Sequence, residues 1–120
     1  MAKILIVDDS MSIQKMVTFA LSTQKSYELS TASDGQEALD LAKITQFDLI
    51  ITDINMPIMG GIELIQKLRA LPAYAVTPIA CLTTESSKDK MGDGKTAGAS
   101  AWMVKPFQPA KLLKVIAKLL

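Results

Sequence analysis

The 120-residue chain contains no histidine and a single cysteine, and only 5% of its residues are aromatic. Without imidazole there can be no Ser-His-Asp triad and no histidine-rich metal site. A lone cysteine excludes an internal disulfide and a cysteine-based zinc site. Cys81 lies within the apolar run IACL, which favours a small buried hydrophobe. Any chemistry must therefore use carboxylates, hydroxyls, lysine and a hard metal ion.

A strong net charge is also lacking. The 13 basic and 12 acidic residues leave a formal charge of +1, which gives no reason to expect a nucleic-acid or membrane partner. No apolar run approaches the roughly 20 residues that span a bilayer, and no signal peptide is evident. We therefore expect a soluble, cytoplasmic protein. Its length predicts a single domain over residues 1–120, with no output domain.

Strand-like and helix-like segments alternate along the whole chain. The predicted strands cover Lys3 to Asp8, Tyr27 to Ala32, Phe47 to Asp53, the IACLT run after Pro78, and Ala101 to Lys105. The predicted helices begin near Ser10, Asp34, Gly60, Ser86 and Pro109. This alternation predicts an α/β fold in which a doubly wound, five-stranded parallel sheet of order 2-1-3-4-5 is covered by five helices.

Two of the predicted helices have features that can be compared with the structure. In the first, the apolar residues at helical spacing are Ile13, Met16, Val17, Ala20 and Leu21. The fourth contains Gly92 and Gly94, each of which costs about 1 kcal/mol relative to alanine inside a helix. We expect this fourth helix to be the least stable in the domain.

Two predicted strands end in carboxylates. Asp8 and Asp9 follow the first strand, and Asp53 ends the third. Strands 1 and 3 are neighbours in the predicted order, so these three groups should converge. Two unit charges about 4 Å apart repel by about 4 kcal/mol at an effective dielectric of about 20, so the pocket needs a cation or a proton. Oxygen ligands favour Mg²⁺, with Mn²⁺ as a substitute, although Asp9 alone could instead cap the first helix.

Thr83 and Lys105 end the fourth and fifth strands at the same edge of the sheet. A lone threonine at the end of a strand is usually part of a turn, and a lone lysine there is usually solvated. Here Lys105 leaves an apolar strand just before Pro106, and its ammonium would compensate the acidic pocket. Together these groups suit phosphoryl transfer, with Asp53 as a nucleophile that carries an acyl phosphate.

Four fragments, in order along the whole chain, resemble the receiver domain of two-component response regulators. They are the pair Asp8-Asp9, DINMPIMGG from Asp53, LTTE from Leu82 and WMVKPF from Trp102. The similarity is strongest to the single-domain receivers of bacterial chemotaxis. The resemblance implies a flavodoxin-like fold and a phosphorylation-activated switch.

The resemblance also implies a role for each matching residue of the acidic pocket. Asp53 would take a phosphoryl group from a histidine of a partner kinase and become a 4-aspartylphosphate. Asp9, Asp53 and the backbone carbonyl of Asn55 would bind Mg²⁺ directly, and Asp8 would do so through a water molecule. Asn55 and Glu85 stand at positions that tune the phosphoryl lifetime, so we expect fast self-dephosphorylation.

The remaining matches concern the switch. Thr83 and Lys105 would contact the phosphoryl group, and the Lys105–Pro106 peptide bond would be cis. Trp102 stands where the family has a switching tyrosine or phenylalanine, although an ordinary, partly buried anchor is the alternative for this residue. Two further departures are Thr84, where a smaller residue is frequent, and Gly60, where many relatives have aspartate.

The implied partners are a histidine kinase and a target that binds the face formed by strand 5 and helices 4 and 5. We expect that target to be a flagellar motor switch protein, with a phosphatase as a further partner and a monomeric chain. A phosphate sink or a phosphorelay intermediate is the alternative. From another class, a Mg²⁺-dependent phosphatase with an aspartate nucleophile needs a second acid where this chain has Asn55. A flavin module needs a phosphate-binding loop after strand 1, and no such loop follows strand 1 in this chain. We expect no enzymatic activity beyond the chain's own phosphorylation and dephosphorylation.

Overall fold

A computed structural model describes residues 1–24 and 26–120 and shows the alternation that the sequence predicts. In chain order the elements are β1 (Ala2–Val7), α1 (Met11–Ser22), β2 (Tyr27–Ala32), α2 (Gly35–Ile44), β3 (Leu49–Thr52), α3 (Gly61–Arg69), β4 (Ile79–Thr83), α4 (Lys88–Ala97), β5 (Ala101–Val104) and α5 (Pro109–Leu119). A short 3₁₀ helix, Pro72–Tyr74, lies in the loop between the two prolines that precede β4.

The five strands form one parallel sheet in the order β2-β1-β3-β4-β5, which confirms the predicted fold class. Val7 of β1 lies opposite Thr52 of β3. The next residues, Asp8 and Asp53, therefore leave the sheet side by side. The register of two buried strands thus brings these carboxylates together.

Both faces of the sheet are packed, as expected for a parallel sheet covered by helices. Leu5, Val7 and Ile50 belong to the core cluster that α2 and α3 cover, and Ile4 and Ile6 to the cluster that α1 and α5 cover. Alternating residues of one strand thus enter opposite cores. Within the described residues, no helix is both long and apolar enough to cross a membrane.

Cys81 is fully buried in β4. Burial, with a smaller contribution from the charge of Asp53, raises the pKa of its thiol to about 12. The thiol is therefore neutral and unreactive at ordinary pH, and Cys81 serves as a small hydrophobe, as predicted.

The start of α1 differs from the sequence-based expectation in two respects. Ser10 caps the helix by accepting a hydrogen bond from the Ile13 amide at 3.3 Å, so the alternative that Asp9 is the cap is wrong. Met16 is 53% exposed, whereas Gln14 is buried. Gln14 shares a helical face with Val17, three positions on. A polar residue is tolerated there because its Nε2 group donates hydrogen bonds to the backbone carbonyls of Asp8 and Ala32.

Candidate functional site

Three carboxylates meet at the carboxyl edge of the sheet. One oxygen each from Asp8, Asp9 and Asp53 lies within 4.8 Å of the other two. Asp8 and Asp53 are buried, whereas Asp9 is exposed. The structure therefore brings together the three acids that the strand order placed in one pocket, and it leaves one of them open to solvent.

Lys105 lies between the two buried acids. Its Nζ atom is 2.6 Å from Oδ2 of Asp8 and 3.1 Å from Oδ2 of Asp53. The Lys105 amide donates to the carbonyl of Thr83 at 2.8 Å, which continues the pairing of β4 and β5 up to the pocket. The Lys105–Pro106 peptide bond is cis. The residue that follows β5 thus places an ammonium group directly against two carboxylates.

The charges in this pocket remain unbalanced despite Lys105. Burial raises the pKa of Asp8 above its ordinary 3.8, and the charge of Asp53 adds to this, although hydrogen bonds from Lys105 and Ser10 oppose it. Burial also disfavours the charged form of Lys105, but its hydrogen bonds and attraction to Asp8 and Asp53 outweigh that and raise its pKa. One ammonium group against three carboxylates leaves excess negative charge, so the donor set fits a hard divalent cation.

The backbone holds Asp53 in place. Its Oδ1 atom accepts a hydrogen bond from the Ile54 amide at 2.6 Å, and Thr52 Oγ1 donates to its carbonyl at 2.8 Å. Gly61 packs so closely on this carbonyl that an added Cβ would overlap its oxygen. The Gly60-Gly61 pair therefore does more than begin a helix. Because Gly61 has no side chain, α3 can begin directly beneath Asp53. Asn55 follows in the same loop with its side chain exposed.

Thr83, Glu85 and Trp102 are linked by hydrogen bonds. Thr83 is fully buried, and its Oγ1 atom accepts from the Glu85 amide at 3.2 Å. The indole Nε1 of Trp102 donates to the Glu85 carbonyl at 3.0 Å. The backbone of Glu85 thus joins the hydroxyl at the end of β4 to the aromatic ring on β5. Thr84, which could have crowded a moving ring, is exposed instead.

The ring of Trp102 packs against Gly94 of α4. A Cβ atom on Gly94 would lie 2.5 Å from Cζ3 of the indole and 3.0 Å from Cε3. A Cβ on Gly92, by contrast, would meet nothing within 4 Å. Sequence analysis treated both glycines as sources of helix instability. The structure shows that one of them provides the space for a half-buried indole.

Gln14 is a positioning residue that sequence analysis missed. Its Nε2 atom donates to the carbonyls of Asp8 at 2.7 Å and Ala32 at 3.2 Å. It therefore joins the ends of β1 and β2 just where the first acid leaves the sheet. The sequence contains a signal for the burial of Gln14, because this residue stands at i, i+3 and i+7 spacing with Val17 and Leu21 on the apolar face of α1.

The fold and the site together define a class: a flavodoxin-like α/β domain with an acidic pocket and a facing lysine at the switch point of its sheet. The sequence model of the response regulator receiver domain family matches residues 4–117. The "Chemotaxis protein CheY homolog" of Campylobacter jejuni is 38% identical over 111 residues, which cover 92% of this chain and 85% of that protein. "Chemotaxis protein CheY-3" of Vibrio cholerae is 34% identical over 117 residues, covering 98% and 90% of the two chains.

A solved structure supports the same assignment. The structure of the chemotaxis protein CheY4 of Vibrio cholerae shares 49% identity with this chain and superposes with a TM-score of 0.94, covering 100% of this chain and 99% of that one. The chain therefore belongs to the response regulator receiver domain family and is CheY-like. This confirms the predicted resemblance. Members of the family are signalling proteins that interact with histidine kinases and downstream targets, and they bind Mg²⁺ in the acidic pocket.

Proposed function

We propose that the chain is a phosphorylation-activated switch of bacterial chemotaxis, with Asp53 as the phosphoacceptor. The observation that carries this proposal is the position of Lys105 Nζ, which lies 3.1 Å from an Asp53 carboxylate oxygen and 2.6 Å from Asp8. An ammonium group beside the acceptor carboxylate is well placed to bind the oxygens of an incoming phosphoryl group. Asp53 is also held by its sequence neighbours, because the Ile54 amide donates to its Oδ1 atom and the Thr52 hydroxyl donates to its carbonyl.

The transfer itself requires little from the protein beyond positioning. A carboxylate oxygen of Asp53 forms a bond to phosphorus while the P–N bond to a histidine of the partner kinase breaks. The imidazole leaves with the electron pair of that bond, and Asp53 becomes an acyl phosphate. Lys105 then donates to a phosphoryl oxygen. In dephosphorylation the oxygen of a water molecule bonds to the same phosphorus while the P–O bond to Asp53 breaks, which releases inorganic phosphate and restores the Asp53 carboxylate.

Asp9, Asp53 and the carbonyl of Asn55 are the groups that would hold Mg²⁺, with Asp8 beside them. When bound, the cation supplies positive charge to the phosphoryl oxygens. The excess of carboxylates over ammonium groups in the pocket supports this assignment, as does the exposure of Asp9, which leaves it free to take up a ligand.

We assign the transmission of the signal to Thr83 and Trp102. The new phosphoryl oxygens attract the hydroxyl of Thr83, whose Oγ1 atom accepts a hydrogen bond from the Glu85 amide. Movement of Thr83 loosens the Glu85 backbone, to which the Trp102 indole is hydrogen-bonded. The face built by α4, β5 and α5 then changes shape, since Trp102 packs on α4. Asn55 and Glu85 flank the site and are proposed to set a short phosphoryl lifetime.

The output is proposed to be a flagellar motor switch protein bound at the face of α4, β5 and α5. The chemotaxis names of the relatives support this choice. The relatives match over 85–90% of their own length, so the similarity extends over most of each chemotaxis protein. We propose that this chain acts as a cytoplasmic monomer that is phosphorylated by a histidine kinase and dephosphorylated by itself and by a phosphatase.

Phosphoryl transfer is tested by incubating the protein with Mg²⁺ and acetyl phosphate and measuring its mass. Wild type should gain one phosphoryl group, and Asp53→Asn should gain none. Asp48→Asn is the matched control, because Asp48 is an exposed acid just before β3 whose side chain accepts the Lys3 amide, as asparagine also can. Equal labelling of Asp53→Asn and wild type would refute the assignment of the phosphoacceptor.

The output is tested separately, with beryllofluoride as a phosphoryl mimic. Retention of a purified motor switch component by activated wild type, but not by Asp53→Ala, would support chemotaxis. Retention of a histidine phosphotransfer protein instead would favour the relay. An aspartyl-phosphate that persists for hours in Mg²⁺ buffer would contradict the proposed short lifetime.

A further inference from the structure

A groove outside the acidic pocket lies between α2 and the loop from β3 to α3. Its volume is about 530 Å³, and it is lined by the apolar side chains of Leu41, Ile44 and Ile58 together with polar and acidic residues of α2. Ile44 and Ile58 are 80% and 81% exposed. Two large aliphatic side chains thus stand in solvent on either side of one groove.

Ile58 is unusual in its backbone as well as in its exposure. Its φ angle is +69°, in the left-handed region that a β-branched residue rarely adopts. Neither this conformation nor an exposed isoleucine favours folding. The Met59 amide donates to the Pro57 carbonyl at 2.7 Å, so Ile58 is the central residue of a tight turn that requires a positive φ. A β-branched residue is costly in this turn, and its exposed apolar side chain suggests a contact made outside its own chain.

The loop that carries Ile58 is fixed on both sides. The Gly35 amide at the start of α2 donates to the Met59 carbonyl at 3.0 Å, and a Cβ on Gly35 would lie 2.5 Å from that oxygen. On the other side, the Gly61 amide donates to the carbonyl of Ile54 at 2.9 Å. Ile58 is therefore presented by a rigid platform, and a partner would not have to order the loop on binding.

The charges around the groove are mainly negative. Asp34, Glu37 and Asp40 line it, and no basic side chain of the described residues forms an ion pair with any of them. Their recorded hydrogen bonds are local, from the Glu37 amide to Asp34, from the Ser33 amide to Glu37 and from Gln36 to Asp40. Lys43 is the single base of α2. A partner with apolar side chains flanked by basic ones would match both the groove and its charge.

We propose that this groove docks a basic amphipathic helix of a partner protein. Apolar side chains on one face of that helix would pack between Ile44 and Ile58, and flanking lysines or arginines would face Glu37 and Asp40. The surface does not include the acidic pocket. The proposal is therefore independent of the phosphoacceptor assignment, and binding is expected to be the same in Asp53→Ala as in wild type.

The probe is a fluorescein-labelled synthetic helix of about 18 residues, made of leucine and lysine with the leucines at i, i+3, i+4 and i+7. Fluorescence anisotropy with the protein is measured in Mg²⁺, so that the acidic pocket does not compete for lysine. We expect binding at least about tenfold tighter than that of a scrambled peptide of the same composition. Equal affinity for the two peptides would overturn the proposal, because it would show a merely electrostatic attraction.

Variants locate the contact. The double variant Ile44→Gln/Ile58→Asn should weaken binding about tenfold, and Glu37→Gln/Asp40→Asn should weaken it and reduce its dependence on salt. Phe19→Gln is the control, because Phe19 is an exposed apolar residue of α1 outside the groove. This variant should bind like wild type. Wild-type affinity in the Ile44/Ile58 variant would overturn the proposal. So would a dimer, detected by sedimentation, that this variant abolishes, because a second copy would then be the occupant.

Discussion

The indole of Trp102 fills the space that Gly94 leaves on α4. A methyl group at position 94 would lie 2.5 Å from Cζ3 of the ring, inside van der Waals contact. The same ring donates from Nε1 to the carbonyl of Glu85 at 3.0 Å. One end of Trp102 is thus held by a hydrogen bond. Its other end packs closely on α4, because Gly94 has no side chain there.

This contact can be tested by comparing two alanine substitutions in α4. Gly92→Ala should stabilise the protein by about 1 kcal/mol, because it adds helix propensity in open space. Gly94→Ala gains the same propensity but overpacks the indole, at a cost of about 1–3 kcal/mol. Urea denaturation should therefore rank Gly94→Ala below Gly92→Ala by that amount. Tryptophan emission should shift only in Gly94→Ala, and equal stability of the two variants would show that the ring moves away freely.

Ile58 should be a site of stored backbone strain. Ile58→Asn should raise the free energy of unfolding by about 1 kcal/mol, because asparagine adopts positive φ more readily than a β-branched residue. Val76→Asn is the control, since Val76 is also β-branched and is 92% exposed, without a positive φ. Thermal and urea denaturation measure both. A gain at position 76 as large as that at position 58 would remove strain as the explanation.

The hydroxyl of Tyr74 connects α2 to the loop before β3. It lies 2.8 Å from the carbonyl of Ala42 and 2.7 Å from that of Thr45, and it accepts the Phe47 amide at 3.1 Å. Tyr74→Phe leaves buried polar groups without a partner and should cost about 1–3 kcal/mol. Tyr27→Phe, at a half-buried ring in β2, should cost less in the same denaturation experiment. Similar losses in both variants would contradict a special role for the Tyr74 hydroxyl.

Mg²⁺ should stabilise the protein, and the gain should shrink as the pH falls. Burial and the charge of Asp53 raise the pKa of Asp8 above 3.8 despite the opposing hydrogen bonds. Without metal, the folded state therefore takes up a proton on Asp8 more readily than the unfolded chain, and this residue's contribution to stability rises as the pH falls through its folded-state pKa. The same proton competes with Mg²⁺.

The corresponding measurement is the melting temperature with Mg²⁺ and with a chelator, over the acidic range just above pH 3.8 and at neutral pH. Asp8→Asn should reduce both the Mg²⁺-induced rise and its dependence on pH in that range. Asp48→Asn, remote from the pocket and already hydrogen-bonded to the Lys3 amide, should behave like wild type. A rise in melting temperature that does not change with pH would contradict the role given to Asp8.

Several features of the site were predictable because they depend on local pattern. The apolar runs that end in Asp8 and Asp53 gave the strands, and the alternation with helices gave their order, so the meeting of the two acids followed. The second helix was predicted to begin near Asp34, and Asp34 is its cap, accepting the Glu37 amide at 2.8 Å. Caps and turns involve neighbours in sequence, and so their chemistry can be read without the fold.

Other features could not be predicted because they depend on contacts across the fold. Lys105 was expected to compensate the acidic pocket, but its close ion pair with Asp8 joins residues 97 positions apart and depends on how the elements between them pack. The spacing of Gln14 with Val17 and Leu21 indicates the buried face of α1, but the two strand-end carbonyls that its amide binds lie on different strands and become evident only in the fold. Gly94 looked like a defect of its helix until the indole was found against it.

The sequence by itself determined the sheet, its strand order and the residues that end its strands, because these follow from periodicity and from the ends of apolar runs. The family followed from the resemblance of four fragments to known receiver domains. Only the tertiary structure decided how those residues act on one another. Burial raises the pKa of Asp8, close packing on Gly94 positions Trp102, and the turn closed between Pro57 and Met59 holds Ile58 in a left-handed conformation. The physical reason is that burial and packing are properties of the assembled chain, whereas strand and helix patterns are already present in its local sequence.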